Sequence, residues 1–401
     1  MVHYQNTRAG LIKPSPSMAI SIEARRMSAA GISVVDLSLG EPDFNTPDHI
    51  IAAAHAAIQR GETRYTAADG TPDLKDAIIE KFRRENGLEF ERNEISAANG
   101  AKQIIFNALM GTLEVGDEVL VPAPYWVSYT DMVLLLGGTP KVLACTAAEN
   151  FKLTPQKLEA ALTPKTRWVM FNAPNNPSGA AYSRAELVEL GRVLERHPHV
   201  LVMSDEIYEQ ISYTSEPFCS FLSACPGLRD RMLLVNGVSK TYAMTGWRIG
   251  YAAGPAGLIS VMGKIQSQST SNPCSVAQAA AISALTGPQD FVAKAVEEYR
   301  ARKDLVVAGL NAIPGIKLRA PEGAFYAYPE CSAYINRTTP AGQVIKSDAD
   351  LVSYLLTEAH VAAVPGAAFG LEPYFRISFA TSTDNLRIAI ERIGTALSAL
   401  R

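Results

Sequence analysis

A lysine and an arginine eight residues apart carry the strongest chemical signal. They lie in Asn236-Gly237-Val238-Ser239-Lys240-Thr241-Tyr242-Ala243-Met244-Thr245-Gly246-Trp247-Arg248-Ile249-Gly250. The apolar lead Met232-Leu233-Leu234-Val235 reads as a short buried strand, which puts Lys240 in a turn of small residues at the strand exit. A lysine in a walled site loses solvation, so its pKa falls and the free amine becomes available to condense with an aldehyde as a Schiff base. Arg248 offers a planar fork of donors suited to a phosphate. Together they fit a covalently held, phosphorylated aldehyde, and pyridoxal phosphate is such a cofactor. The bland alternative is a surface Lys and Arg flanking a loop.

Other residues fall at comparable places. Asn99-Gly100-Ala101-Lys102 lies between a strand and a helix, where backbone N–H groups can approach a phosphate; an ordinary strand-to-helix turn is the alternative. Trp126 could stack on a ring or be a core aromatic. Asn176, in Asn172-Ala173-Pro174-Asn175-Asn176-Pro177-Ser178-Gly179, could donate to a phenolate or carboxylate or serve the turn alone. Asp205 ends an apolar strand and could keep a pyridine nitrogen protonated, with Tyr208 bonding the ring oxygen; helix capping and packing are the plain reading. Arg376 sits in Tyr374-Phe375-Arg376-Ile377-Ser378-Phe379, where an unpaired cation is costly. A substrate carboxylate would pair with it bidentately, and an internal salt bridge is the competing explanation.

These residues need a scaffold that brings strand ends together. From residue 95 onward, short apolar strands alternate with helices: strands at 95–98, 118–121, 166–171, 200–203, 232–235 and 249–252, and helices opening at Lys102 and spanning 183–196. That pattern argues a mostly parallel sheet covered on both faces. In such sheets ligands collect beyond the carboxyl ends of the strands. Before it come an N-terminal arm and helix (residues 1–30), a strand over 32–39, and helices over 48–60 and 71–86, the second opened by Thr71 as N-cap and Pro72. After it come a long helix over 289–311 and a smaller α+β segment with strands near 324–328 and 375–379. The expected division is 31–50 as part of a small domain, 51–294 as a large cofactor-binding domain, and 295–401 as the rest of the small domain.

Composition narrows the class. The 401 residues are 47% hydrophobic and 19% charged, enough for more than one core. Net charge is −3, from 37 basic and 40 acidic residues, with no basic stripe for nucleic acid and no polybasic cluster for a membrane. The five cysteines are scattered without metal-ligand spacing, so no metal site is expected and a reducing, cytoplasmic setting fits. No apolar run is long enough to span a bilayer. The six histidines form no Ser/His/Asp or His/Cys set, and no G-x-G-x-x-G follows a strand.

The ordered set Gly40, Tyr65, Asn99-Gly100-Ala101-Lys102, Trp126, Asn176-Pro177-Ser178-Gly179, Asp205-Glu206-Ile207-Tyr208, Ser239-Lys240, Gly246-Trp247-Arg248-Ile249-Gly250 and Arg376 resembles the class I aminotransferases of fold type I over nearly the whole chain. Ile12-Lys13-Pro14-Ser15 and Tyr125-Trp126-Val127-Ser128-Tyr129 sharpen it toward the bacterial aspartate aminotransferases. The resemblance implies an α/β fold: a large domain with a mostly parallel seven-stranded sheet sandwiched by helices, and a smaller α+β domain. It implies that Lys240 holds pyridoxal 5′-phosphate and moves the substrate proton. Asp205 would pair with the ring nitrogen, Tyr208 and Asn176 with the ring oxygen, and Trp126 would cover the ring. The phosphate would be held by Gly100, Ala101 and Lys102, by Ser239 and Arg248, and by Tyr65 of the partner subunit in a homodimer. Arg376, Asn176 and Gly40 would take the α-carboxylate, and Lys102 and Lys13 the distal one. Lys13 is also tied in such enzymes to prephenate. One departure is Gly237, where many relatives place a phosphate-binding serine.

The implied reaction is a ping-pong transfer of the amino group of L-aspartate to a 2-oxoacid such as 2-oxoglutarate. Three alternatives stand beside it. One is broad or aromatic specificity, and another is a lyase on the same fold. The third, a non-catalytic regulator, lacks the basic face that DNA binding would need.

Overall fold

The computed structural model describes residues 4–12, 14 and 16–401. Lys13 lies outside the described residues. The strands, in chain order, are β1 (Val35–Asp36), β2 (Ile95–Ala98), β3 (Glu118–Ala123), β4 (Thr139–Ala144), β5 (Thr166–Asn172), β6 (Leu201–Asp205), β7 (Met232–Gly237), β8 (Gly250–Ala253), β9 (Tyr326–Ala327), β10 (Val361–Ala362), β11 (Val364–Pro365) and β12 (Phe375–Ser378).

Among the described residues, β2 to β8 form a seven-stranded sheet in the order β2-β8-β7-β6-β5-β3-β4. All are parallel except β8, which pairs antiparallel with both β7 and β2. The inner strands β5 to β8 are buried along nearly their whole length because both faces are covered. Along β5, Val169 and Phe171 join one core, with Leu120, Val202 and Leu234. Trp168 and Met170 join the other, with Val121, Met203 and Leu233. A side-chain period of two therefore feeds two cores from one strand. The first core is closed by residues such as Ile50, Leu74, Leu190 and Ala281, from helices Asp48–Gln59, Pro72–Lys81, Arg184–Glu195 and Ser275–Thr286. The second is closed by Ile104, Val133 and Met262, from helices Ala101–Met110, Ser128–Leu135 and Ala256–Ser267. Each fully buried Val, Leu or Ile contributes about 1.5–3 kcal/mol.

A separate core gathers Val35, Leu37, Val306, Leu310, Phe375, Ile377, Leu386 and Ile393. It is built from the pair β1-β10, the sheet β11-β12-β9, and helices Asp290–Asn311, Asp348–Glu358 and Thr383–Ser398. Residues 35 and 37 belong to it although the next buried member of this core along the chain is Ile207.

Capping explains several boundaries. Thr71 Oγ1 accepts from Leu74 N at 3.2 Å with Pro72 opening the helix. Ser183 and Glu186 form a reciprocal capping box. The helix expected over 71–86 is regular only to Lys81; Phe82–Asn86 continues as a wider π turn that ends at Gly87. The strand expected over 32–39 shrinks to β1, because only Val35 and Asp36 find a partner strand, in β10. The edge strand Thr139–Ala144 is half-exposed and polar at several positions, so its apolar signal is weak.

Candidate active site

The carboxyl ends of β2, β3, β5, β6 and β7 share one rim, and the chemistry-bearing residues stand there. β7 ends at Gly237, and Lys240 follows in the turn. Its Nζ donates to the backbone oxygen of Gly40 at 2.7 Å. Burial pushes its pKa down to about 8; Arg248 and Arg376 push the same way, and Glu41 and Asp205 oppose them. The chain then makes a short turn, Thr245–Trp247, and returns as β8 in the opposite direction. That reversal places Arg248 back on the same rim.

Asp205 closes β6 and is 5% exposed. Tyr129 donates its hydroxyl to Oδ2 at 2.6 Å, and the Ile207 N–H donates to Oδ1 at 3.3 Å. Burial raises its pKa to about 6, and these two donors and Lys240 hold it there. The register pairs Asn172 with Asp205 across β5 and β6. Asn172 Nδ2 donates to the Asp205 backbone oxygen at 3.0 Å, and Asn172 Oδ1 accepts from Asn176 N at 2.8 Å. The turn after β5 is thus tied to the end of β6, and this aims Asn176.

Asn176 Oδ1 accepts from Arg376 Nη1 at 3.0 Å, while Arg376 Nη2 donates to the Ser38 backbone oxygen. Arg376 is 3% exposed, between the rings of Tyr326 (4.8 Å) and Phe369 (5.0 Å). Its Nε is buried with no hydrogen-bond partner. Among the described residues no carboxylate pairs with it, so the internal salt bridge weighed above is not formed. Burial lowers its pKa, yet a guanidinium stays charged at any ordinary pH.

The approach of β2 and β8 makes a narrow cradle. A Cβ on Gly250 would stand 2.1 Å from the Ala101 nitrogen. A Cβ on Gly100 would stand 2.2 Å from Arg248 Nη2, and Gly100 has φ +90°. Only glycine fits at either place. Helix Ala101–Met110 begins at this cradle, and Arg248 reaches it by donating to Asn99 O at 3.2 Å and Thr245 O at 2.8 Å. Gly237 is confined less severely: a Cβ would meet Ile207 Cδ1 and Ile249 O at 3.0 Å. A serine there would press on β8, whereas Ser239, buried two residues on, has its own side chain.

Trp126 follows β3, half-buried and edge-on to Tyr129 at 5.4 Å. Lys102 Nζ lies 4.8 Å from the Trp126 ring centroid, and burial, then Arg248, lower its pKa. Tyr208 lies after β6, with its hydroxyl 2.7 Å from that of Tyr326. Tyr65 stands apart, 91% exposed on a loop. A cavity of about 630 Å³ opens elsewhere, between Lys152, Arg184 and Glu216. It contains none of the predicted residues, and its lysine is already paired with Glu186 at 3.1 Å.

The match to the family model described as aminotransferase class I and II spans residues 32–393. The chain belongs to this family. The aspartate aminotransferase of Rhizobium meliloti is 55% identical over 394 residues, covering 98% of this chain and 96% of that protein. The aspartate/prephenate aminotransferase of Cereibacter sphaeroides is 56% identical over 382 residues, covering 95% and 96%. Among solved structures, the Rhizobium meliloti aspartate aminotransferase superposes with a TM-score of 0.97 at 54% identity, over all of both chains. The Thermus thermophilus aspartate aminotransferase with maleate gives 0.92 at 40% identity, over 98% of this chain and all of that one. The resemblance drawn from the motifs, and the α/β fold it implied, are therefore borne out.

Reading the sequence missed three residues that the structure brings to this rim. Tyr129 belongs to the motif around Trp126; it is the second residue of helix Ser128–Leu135, and its ring meets Trp126 just before that helix. Ser38 contributes only a backbone oxygen, which no side-chain pattern reveals. Tyr326 looked like one aromatic among several in an apolar strand.

Proposed function

We propose that this chain transfers the amino group of L-aspartate to a 2-oxoacid such as 2-oxoglutarate, using pyridoxal 5′-phosphate held at Lys240. The observation that carries the reading is the Lys240 amine itself, buried among Asp205, Arg248 and Arg376 and poised at about 8. Aspartate comes from the names of the most similar relatives.

The residues present fit the cofactor. A buried carboxylate, Asp205, faces the rim with only two donors, which leaves it able to pair with a ring nitrogen. A glycine-lined helix start beside an arginine suits a phosphate. The orphan Arg376 Nε suits a carboxylate. Asp205 would hold the ring nitrogen, Tyr208 and Asn176 the ring oxygen, and Trp126 the ring face. The backbone of Gly100, Ala101 and Lys102, with Ser239, Arg248 and Tyr65 of the partner subunit, would hold the phosphate. When bound, the cofactor supplies an electron sink for the carbanion at the substrate Cα.

The chain's own groups do the rest. Arg376, steadied by Asn176, orients the α-carboxylate, with the Gly40 backbone beside it. Lys102 and Lys13 meet the distal carboxylate. Lys240 Nζ, a free base above its lowered pKa, takes the proton from the substrate Cα and returns it at the other carbon of the transfer. The homodimer in this proposal is supported by the exposure of Tyr65. The division at residues 31–50 and 295–401 against 51–294 is supported by the separate core around Val35, Leu310 and Ile377. A cytoplasmic setting is supported by five unpaired cysteines. Among the described residues no helix is long and apolar enough to cross a membrane.

A second reading adds prephenate as acceptor, on the name of the Cereibacter sphaeroides relative. The test is the visible absorbance of the purified protein with added pyridoxal phosphate, titrated with aspartate and then phenylalanine, with product analysis. Bleaching by aspartate with release of oxaloacetate supports the proposal. Equal bleaching by phenylalanine broadens it. Ammonia or CO₂ as product replaces it with a lyase, and no visible band removes it.

A further inference from the structure

Tyr326 is the most heavily engaged residue at the rim that the proposed mechanism leaves without a part. It is fully buried on β9, paired with Ser378 of β12, the strand that carries Arg376. Three contacts meet at this one side chain. Its hydroxyl is 2.7 Å from that of Tyr208. Its ring lies 4.8 Å from the Arg376 guanidinium. Its oxygen would be 2.5 Å from any Cβ at position 40, the residue whose carbonyl receives the Lys240 amine. Gly40 is therefore small because the Tyr326 hydroxyl occupies that space.

We infer that Tyr326 is a positioning residue: its hydroxyl donates to Tyr208 Oη, leaves the Tyr208 proton free to point into the catalytic centre, and links that hydrogen bond to the carboxylate-binding Arg376. The inference rests on the function proposed above.

Two phenols joined by one hydrogen bond share one proton between them, and the direction decides what Tyr208 can do. If Tyr208 donates to Tyr326, it has no proton left for a ring oxygen. If Tyr326 donates, Tyr208 keeps its own. A cation over one ring makes that phenol the better donor, and the Arg376 guanidinium lies 4.8 Å from the Tyr326 ring centroid. Arg376 faces the Tyr326 ring and opposes the rise that burial imposes on its pKa. Tyr208 is held well above the ordinary range, by burial first and by Tyr326 next, with Arg376 opposing and Asp205 reinforcing. Tyr299, from helix Asp290–Asn311, packs on the neighbouring Phe325 ring at 5.4 Å and feels the Tyr326 hydroxyl electrostatically. Phe325, edge-on to Tyr208 at 5.5 Å, offers no competing acceptor. A hydroxyl that accepts a hydrogen bond becomes a stronger donor in turn, so Tyr326 strengthens whatever bond Tyr208 makes to the cofactor.

Tyr326→Phe removes the hydroxyl and keeps the ring over Arg376. The readout is the pH midpoint of the visible absorbance of the cofactor-loaded protein, with thermal unfolding as a check on the fold. A donor to the ring oxygen favours its charged form and keeps the midpoint low. Tyr326→Phe should raise it by about 0.5–1 pH unit. Tyr208→Phe should raise it further, and the double variant should go no further than Tyr208→Phe alone. A midpoint unchanged in Tyr326→Phe, or a double variant equal to the sum of the singles, overturns the inference and leaves the aminotransferase reading intact. Wild-type protein that takes up no pyridoxal phosphate overturns both.

Discussion

Two buried charge clusters flank β7, and they are built on opposite terms. Behind the strand, Lys81 is 2% exposed and pairs with Glu209, lies 3.5 Å from Glu85, and donates to Asn86 Oδ1 at 2.9 Å. Glu209 also accepts from Asn236 at 2.7 Å and Asn86 at 2.9 Å. At the rim, Lys240 is partly buried and donates only to a backbone oxygen, Asp205 has a phenol and one N–H, and Arg376 has an orphan Nε. The first cluster satisfies its charges. The second leaves them short of partners, and its pKa values move: Lys240 down to about 8, Asp205 up to about 6. Burial alone does not make a group reactive; burial with incomplete pairing does.

The comparison can be broken most sharply at its two lysines. Lys240→Ala should lower turnover by at least about a thousand-fold while the protein stays folded by circular dichroism. Substantial residual transamination would sink the assignment. Lys81→Met should do the reverse. Stranding Glu209 should cost about 3 kcal/mol of stability in urea unfolding, with turnover of the folded protein nearly unchanged. A stable Lys81→Met variant that had lost turnover would mean the rear cluster, through Asn236, also positions Lys240.

Smaller effects sharpen the contrast at the rim. Arg376→Lys keeps the charge and loses the fork, and should raise the KM for aspartate about 30-fold with a lesser fall in kcat. An unchanged KM would send the α-carboxylate elsewhere. The mildest test is pH alone. The Lys240 pKa is lowered, so the free amine is scarce below about 8 and complete above it. The rate at which cofactor-free protein captures pyridoxal phosphate should rise about tenfold per pH unit below that point and level off above it, in contrast to an ordinary lysine near 10.4. A rate still climbing at pH 10 would mean that Lys240 is solvated.

Much of this was legible before any coordinates. The strand-exit positions of Lys240, Asp205, Asn176 and Trp126 could be read because short apolar strands, flanked by turns of small and polar residues, mark their own ends. The family could be read because those residues recur in order along nearly the whole chain. Gly100 reads as a turn glycine, and its φ of +90° agrees; what only the structure shows is that the Arg248 guanidinium lies over the place of its Cβ.

What the sequence determined was a local inventory: which residue types stand at which strand ends, which helices are capped, and which strands are buried on both faces. Hydrophobic period and turn chemistry act over a few residues, and a linear reading can see them. What the tertiary structure decided was partnership. Tyr129 with Asp205, Ser38 with Arg376, Tyr326 with Tyr208, and Lys81 with Glu209 are separated by 76, 338, 118 and about 130 residues. Whether a buried charge is quiet or reactive depends on those distant partners, because desolvation is offset only by groups that the fold brings within hydrogen-bonding reach.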